Sequence, residues 1–114
     1  MSTTIENTKT WLEKIEQHLE IEEKFGKGRK IANLLDVNTS TISKQKQGNL
    51  EMQTDQATKT ARLLGVLPML VISSTSYHRC LKEKEYENAE MWKKVYEKTS
   101  REQAEQMELE NGIA

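Results

Sequence analysis

Residues 28–48 read GRKIANLLDVNTSTISKQKQG, and the pattern of this stretch is the strongest indication of the fold in the sequence. Its pattern is typical of two short helices joined by a tight turn. Ala32 is small enough for the second helix to cross closely, while Val37 and Ile42 are spaced to face inward and fix the angle between the helices. Asp36 stands where the turn needs a positive φ, which aspartate tolerates better than most residues other than glycine. The stretch therefore predicts two helices held at a fixed angle.

The sequence on both sides of this stretch also favours helices. Apolar residues at three-to-four spacing mark the first one, and Gly48 and Gly65 are placed to end two others. The run VLPMLVI at 66–72 is rich in β-forming residues, but it contains Pro68, which favours a helix start. No segment predicts a strand. The predicted helices cover residues 5–20, 28–35, 39–47, 55–64, 68–81 and 86–98.

The charge of the chain is unevenly distributed. The 114 residues carry a formal net charge of −1, but residues 24–64 hold eight Lys or Arg against three Asp or Glu, a net charge of +5. The flanking segments are acidic. A basic middle between acidic flanks indicates a module that faces phosphates and is carried by other structure.

Other features of the sequence indicate the cellular compartment of the protein. No run of apolar residues is long enough to span a membrane, and the first residues do not resemble a signal peptide. Cys80 is the single cysteine, so an internal disulfide is impossible, and this fits a reducing compartment. We expect a cytoplasmic protein.

Residues 27–66 resemble the helix-turn-helix of Cro and the phage repressors, the XRE-like family. The ending TARLLGV at 60–66 is similar to the fourth helix of that family. More loosely, residues 66–72 and EMWKKVYEK at 90–98 resemble C-terminal extensions of small phage and prophage regulators. The chain departs from the family pattern at Asp36, which replaces the usual turn glycine, and at Gln45, which replaces a larger residue.

The resemblance implies that the second helix of the pair enters the major groove of double-stranded DNA. Thr and Ser have low helix propensity, so a helix that exposes many of them is not favoured by stability alone. Contact with the groove gives a reason for exposing those side chains. Hydroxyls can read base edges, and an ammonium suits guanine O6 and N7. The expected base-reading residues are Thr39, Ser40, Ser43, Lys44 and Gln47. The expected phosphate contacts are Lys27, Arg29, Lys30 and Lys46.

We therefore expect an all-α protein, a compact helix-turn-helix DNA-binding bundle of four to five helices with a C-terminal helical extension. Residues 1–67 form the predicted DNA-binding domain, residues 68–98 the extension, and residues 99–114 a polar tail that frays or extends. A single helix-turn-helix contacts one half-site, so the extension is expected to form a homodimer. The expected interface residues are Met69, Leu70, Ile72, Trp92 and Tyr96.

The predicted function is sequence-specific binding to operator DNA by a phage or prophage transcriptional repressor. No catalytic motif is present, and His78 and Cys80 alone do not make a zinc site, so we expect no enzyme, metal, cofactor or small-molecule effector. Two alternatives stay open. One is the DNA-recognition subunit of another machine, similar to a small terminase subunit. The other is an antitoxin or adaptor whose C-terminal helices bind a partner protein.

Overall fold

The computed structural model describes residues 4–19 and 27–111 of the chain, with the side chain of Lys27 left out. This part of the protein is all-α and contains six helices and no strand. The prediction of an all-α fold is confirmed. The helices are α1 (Thr8–His18), α2 (Lys27–Leu35), α3 (Thr39–Lys46), α4 (Thr54–Leu64), α5 (Pro68–Lys82) and α6 (Tyr86–Asn111).

Helix boundaries follow local chemistry. The Asn7 side chain accepts from Thr10 N–H at 2.9 Å, so α1 begins at Thr8 and not at residue 5 as predicted. Gly65, with φ 70°, ends α4, and Pro68 occupies the first turn of α5. The N-cap position of α4 is Gln53, so this helix begins at Thr54, one residue before the predicted start at residue 55. The predicted end of α1, residue 20, lies outside the described residues.

One hydrophobic core joins all six helices. Helix α1 contributes Leu12 and Ile15, which have almost no exposed surface. Burying a side chain of this size contributes roughly 1.5–3 kcal/mol. The opposing core residues are Ile31, Leu35, Ile42, Ala57, Ala61, Val71 and Tyr96.

The C-terminal extension, which forms α5 and α6, packs into this core and is not a separate unit. In α5 four consecutive residues with hydroxyl side chains, 73–76, are buried, and the Ser74 hydroxyl accepts from Trp11 Nε1 at 2.7 Å. Leu70 and Tyr96 are 8% and 5% exposed. These two expected interface residues therefore pack inside the chain and leave little area for a second copy, while Met69, Ile72 and Trp92 stay partly accessible.

Helix α6 continues well past residue 98, where the sequence predicted its end. Thr99 is buried, and the Gln103 carboxamide accepts from Leu67 N–H at 2.7 Å. These contacts dock α6 against the start of α5, and residues 99–111 are helical where the sequence predicted a polar tail that frays or extends. Residues 83–85 separate α5 from α6, in the gap between the helices predicted over 68–81 and 86–98, and Lys84 adopts φ 60° there.

Candidate nucleic-acid interface

The turn between α2 and α3 has the geometry that its sequence predicted. Asp36 adopts φ 57°, and Val37 N–H donates to the Ala32 carbonyl at 2.9 Å. The Lys59 ammonium lies 3.5 Å from the Asp36 carboxylate and 3.5 Å from the Leu35 carbonyl. Ala32 is buried, which lets α3 approach closely. The expectation that Asp36 takes the positive-φ position is confirmed.

The inner side of α3 is anchored by two residues, one apolar and one polar. Ile42 and Gln45 are each 1% exposed. The Gln45 amide donates to Gln56 Oε1 at 2.8 Å, and Gln56 Nε2 donates back to Gln45 Oε1 at 2.7 Å. Ile42 was expected at this position. The role of Gln45 was not, and its only sequence signal is its place three residues after Ile42 on the same helix face.

The outer side of α3 carries every expected base-reading residue. Thr39, Ser40, Ser43, Lys44 and Gln47 are all exposed. A shallow cleft of about 340 Å³ lies on this side and is lined by Gly28, Thr39, Ile42, Ser43, Lys46 and Gln47. Because the inner anchors hold α3 by its other face, these side chains project from a fixed helix and are not covered by later helices.

The expected phosphate-contacting residues fall into three situations. Arg29 and Lys30 are exposed on α2, and the side chain of Lys27 lies outside the described part. Lys46 is different, since its ammonium forms an ion pair with Glu16 of α1 at 3.0 Å. Sequence reasoning missed this pair because thirty residues separate its members. The pair holds Lys46 at the border between α1 and α3.

The segment that follows α3 is fixed by the C-terminal extension. Lys82 donates to the Gly48 carbonyl at 2.7 Å and pairs with the Glu51 carboxylate, which is 6% exposed. Glu51 also accepts from Thr8 N–H at 3.0 Å and from the Thr8 hydroxyl at 2.8 Å, at the positive end of α1. The Arg79 guanidinium donates to the Met52 carbonyl at 2.9 Å. Helix α5 therefore holds the loop that follows α3, in addition to contributing side chains to the core.

The two residues considered as metal ligands have other contacts. His78 Nε2 lies 2.7 Å from the Ile5 carbonyl. Burial raises the pKa of the Cys80 thiol, and the Glu85 carboxylate adds to this while Arg79 opposes it. The thiol is therefore protonated at neutral pH and a poor nucleophile. Within residues 4–19 and 27–111, no three His, Cys, Asp or Glu side chains gather as a metal site would require.

Comparison with known proteins adds no relative to this description. No family model matches the chain, and neither the curated proteins nor the solved structures include a match. Among the helices described above, none has the length and apolar character needed to cross a membrane.

Proposed function

We propose that this protein binds double-stranded DNA in a sequence-specific way and acts as a transcriptional regulator, in the manner of a small phage or prophage repressor. The observation that supports this most is the two-sided character of α3. One side is locked by Ile42 and by the Gln45–Gln56 amide pair. The other side presents hydroxyls, Lys44 and Gln47 to solvent.

The dimensions and chemistry of α3 suit the major groove. The groove of B-DNA admits one α-helix, and its base edges present both donors and acceptors. Thr39, Ser40 and Ser43 offer hydroxyls that can do either, while Lys44 offers an ammonium to guanine acceptors. Arg29 and Lys30 on α2 supply positive charge beside this face for the phosphates.

The proposal includes two copies at adjacent half-sites and no catalytic step. A single module of this size contacts few base pairs, and a two-fold dimer reads a longer palindrome. Binding at a promoter then blocks or recruits polymerase without any chemistry by the protein. Such a role belongs in the cytoplasm, where bacterial DNA lies.

Selection from a random DNA library, followed by sequencing of the bound duplexes, tests the proposal. We expect an enriched inverted repeat whose half-sites are centred about one helical turn, or a multiple of it, apart. Lys44→Glu should remove the enrichment, whereas Lys84→Glu, an equal charge change in the exposed loop between α5 and α6, should preserve it. No enrichment with the wild-type protein, or equal loss in both variants, contradicts the proposal.

A further inference from the structure

The last turns of α6 extend beyond the body of the protein. The Gln103 carboxamide accepts from the N–H of Leu67, which directly precedes α5. Residues 104–111 therefore project past the N-terminal end of α5. All eight of these residues are exposed, and Met107 is 51% exposed. We call residues 104–111 the α6 overhang.

A groove lies beside the α6 overhang. Its volume is about 550 Å³, and its apolar walls include Leu64, Val66, Leu70, Tyr96 and Met107. The side chains of Lys14 and His18 on α1 line its other side. The groove is therefore wide enough for apolar side chains of a second helix, and the chain's own overhang stands at its edge.

Residues 93–111 of α6 divide into a basic half followed by an acidic half. Residues 93–101 hold four Lys or Arg and one Glu, a net charge of +3, whereas residues 102–111 hold four Glu, a net charge of −4. Two such helices repel when they lie parallel and in register. When they lie antiparallel and cross near residue 102, the basic half of each faces the acidic half of the other. This pattern is complementary to itself, which is what a two-fold interface between identical chains requires.

The side of α6 that borders the groove can make this approach. Ser100, Ala104 and Met107 follow one another at spacings of four and three residues, so they share a helix face. Ser100 and Met107 both line the groove. Two small residues in this row let a second helix come close, and crossing near residue 102 sets Ala104 beside Ser100 of the partner subunit.

We infer that two copies of this chain associate through an antiparallel α6–α6 pair, with each Met107 inserted into the groove of the other copy beside Leu64 and Val66. This inference deepens the proposed function, in which two copies bind adjacent half-sites, but it concerns the free protein and is tested without DNA. It moves the contact between the two copies away from Met69, Ile72 and Trp92 to the α6 overhang and the groove, whose walls include Leu70 and Tyr96.

Sedimentation velocity of the full chain at micromolar concentration, without DNA, is the first test. The wild type should sediment as a dimer, Met107→Asp as a monomer and Met91→Asp as a dimer. Met91 is a matched control because it is 50% exposed on the same helix, and circular dichroism should show native helix content for both variants. A monomeric wild type overturns the inference, as does a dimer that survives Met107→Asp or is lost in both variants.

Disulfide trapping tests the antiparallel arrangement. In a Cys80→Ser background, Ser100→Cys and Ala104→Cys are made as separate proteins and then oxidised alone or as a mixture. The antiparallel pair predicts a cross-linked dimer that joins one chain of each variant and forms only in the mixture. Cross-linking of either variant with itself, or none in the mixture, overturns the arrangement.

Binding of the same proteins to a duplex of random sequence separates the two proposals. A monomer that binds DNA overturns the inference and leaves the proposed function standing. A dimer trapped as expected that binds no DNA supports the inference and contradicts the proposed function.

Discussion

Gln45 and Gln56 form a closed pair of hydrogen bonds, at 2.8 and 2.7 Å, between α3 and α4. Both side chains are buried, with exposed fractions of 1% and 5%. Each amide satisfies the other in a place that water does not reach, and the pair fixes both the position of α3 and its rotation. The proposed interface depends on that rotation, because it decides which α3 side chains point outward.

Removing both members of this pair should cost less than the sum of the costs of removing each one alone. Gln45→Leu leaves the Gln56 amide buried without its partner, and we expect a loss of about 1–3 kcal/mol in the free energy of unfolding. The double variant Gln45→Leu/Gln56→Leu should lose less than the sum of the two single changes. Urea unfolding followed by circular dichroism measures all three, with the exposed Gln47→Leu as the control. Strictly additive losses contradict the pairing.

The turn before α3 should tolerate some substitutions of Asp36 and not others. Asp36 has φ 57°, and its carboxylate is 89% exposed near Lys59, so the ion pair contributes little. Asp36→Gly should keep the free energy of unfolding within about 1 kcal/mol of wild type, because glycine adopts this conformation freely. Asp36→Val should lose about 1–3 kcal/mol, because a β-branched residue at positive φ is strained. Urea unfolding decides between them. Equal stability of the two variants contradicts this account of the turn.

Local patterns predicted the α2–turn–α3 unit well because its determinants are close in sequence. A positive φ at Asp36, the inward Ile42 and the outward hydroxyls all follow from the spacing within residues 28–48. The helix start at Pro68 and the stop at Gly65 are equally local.

Local sequence patterns could not predict contacts between segments that are distant in the sequence. The Lys46–Glu16 pair, the Lys82 contacts with Gly48 and Glu51, and the bond from Leu67 to Gln103 each join residues at least thirty positions apart. The helix pattern weakens after residue 98, where polar side chains dominate. The length of α6 therefore depends on docking to α5, which composition alone does not reveal.

Lys44 should contribute to base discrimination in the proposed complex. It lies on the exposed side of α3, where its ammonium can reach guanine acceptors. Lys44→Ala should reduce the difference in binding free energy between the selected site and a site with one base pair changed by about 1–3 kcal/mol. Fluorescence anisotropy with the two duplexes measures this difference. Unchanged discrimination means that Lys44 does not read a base.

Arg29 should act through charge and not through sequence. It is exposed on α2, and the proposed role is a contact with one phosphate. Arg29→Ala should weaken binding to selected and random duplexes by the same factor. It should also lower the slope of log Kobs against log salt by about 1. Titrations at several salt concentrations give the slope, and Lys84→Gly, in the exposed loop between α5 and α6, should leave it unchanged. A loss confined to the selected duplex contradicts a phosphate role.

Glu16 should restrain DNA binding by holding Lys46. The Lys46 ammonium lies 3.0 Å from the Glu16 carboxylate, and a DNA phosphate would have to compete with that carboxylate. Glu16→Gln removes the competition, so binding to a random duplex should tighten and the salt slope should steepen by about 1. Glu13→Gln is the matched control, because Glu13 lines a small cleft on α1 together with Glu16 and Lys46, and its loss removes an equal charge while the pair stays in place. Combining Glu16→Gln with Lys46→Ala should cancel the gain. An equal gain from Glu13→Gln, or a gain that survives Lys46→Ala, means that general repulsion and not the Lys46 pair sets the effect.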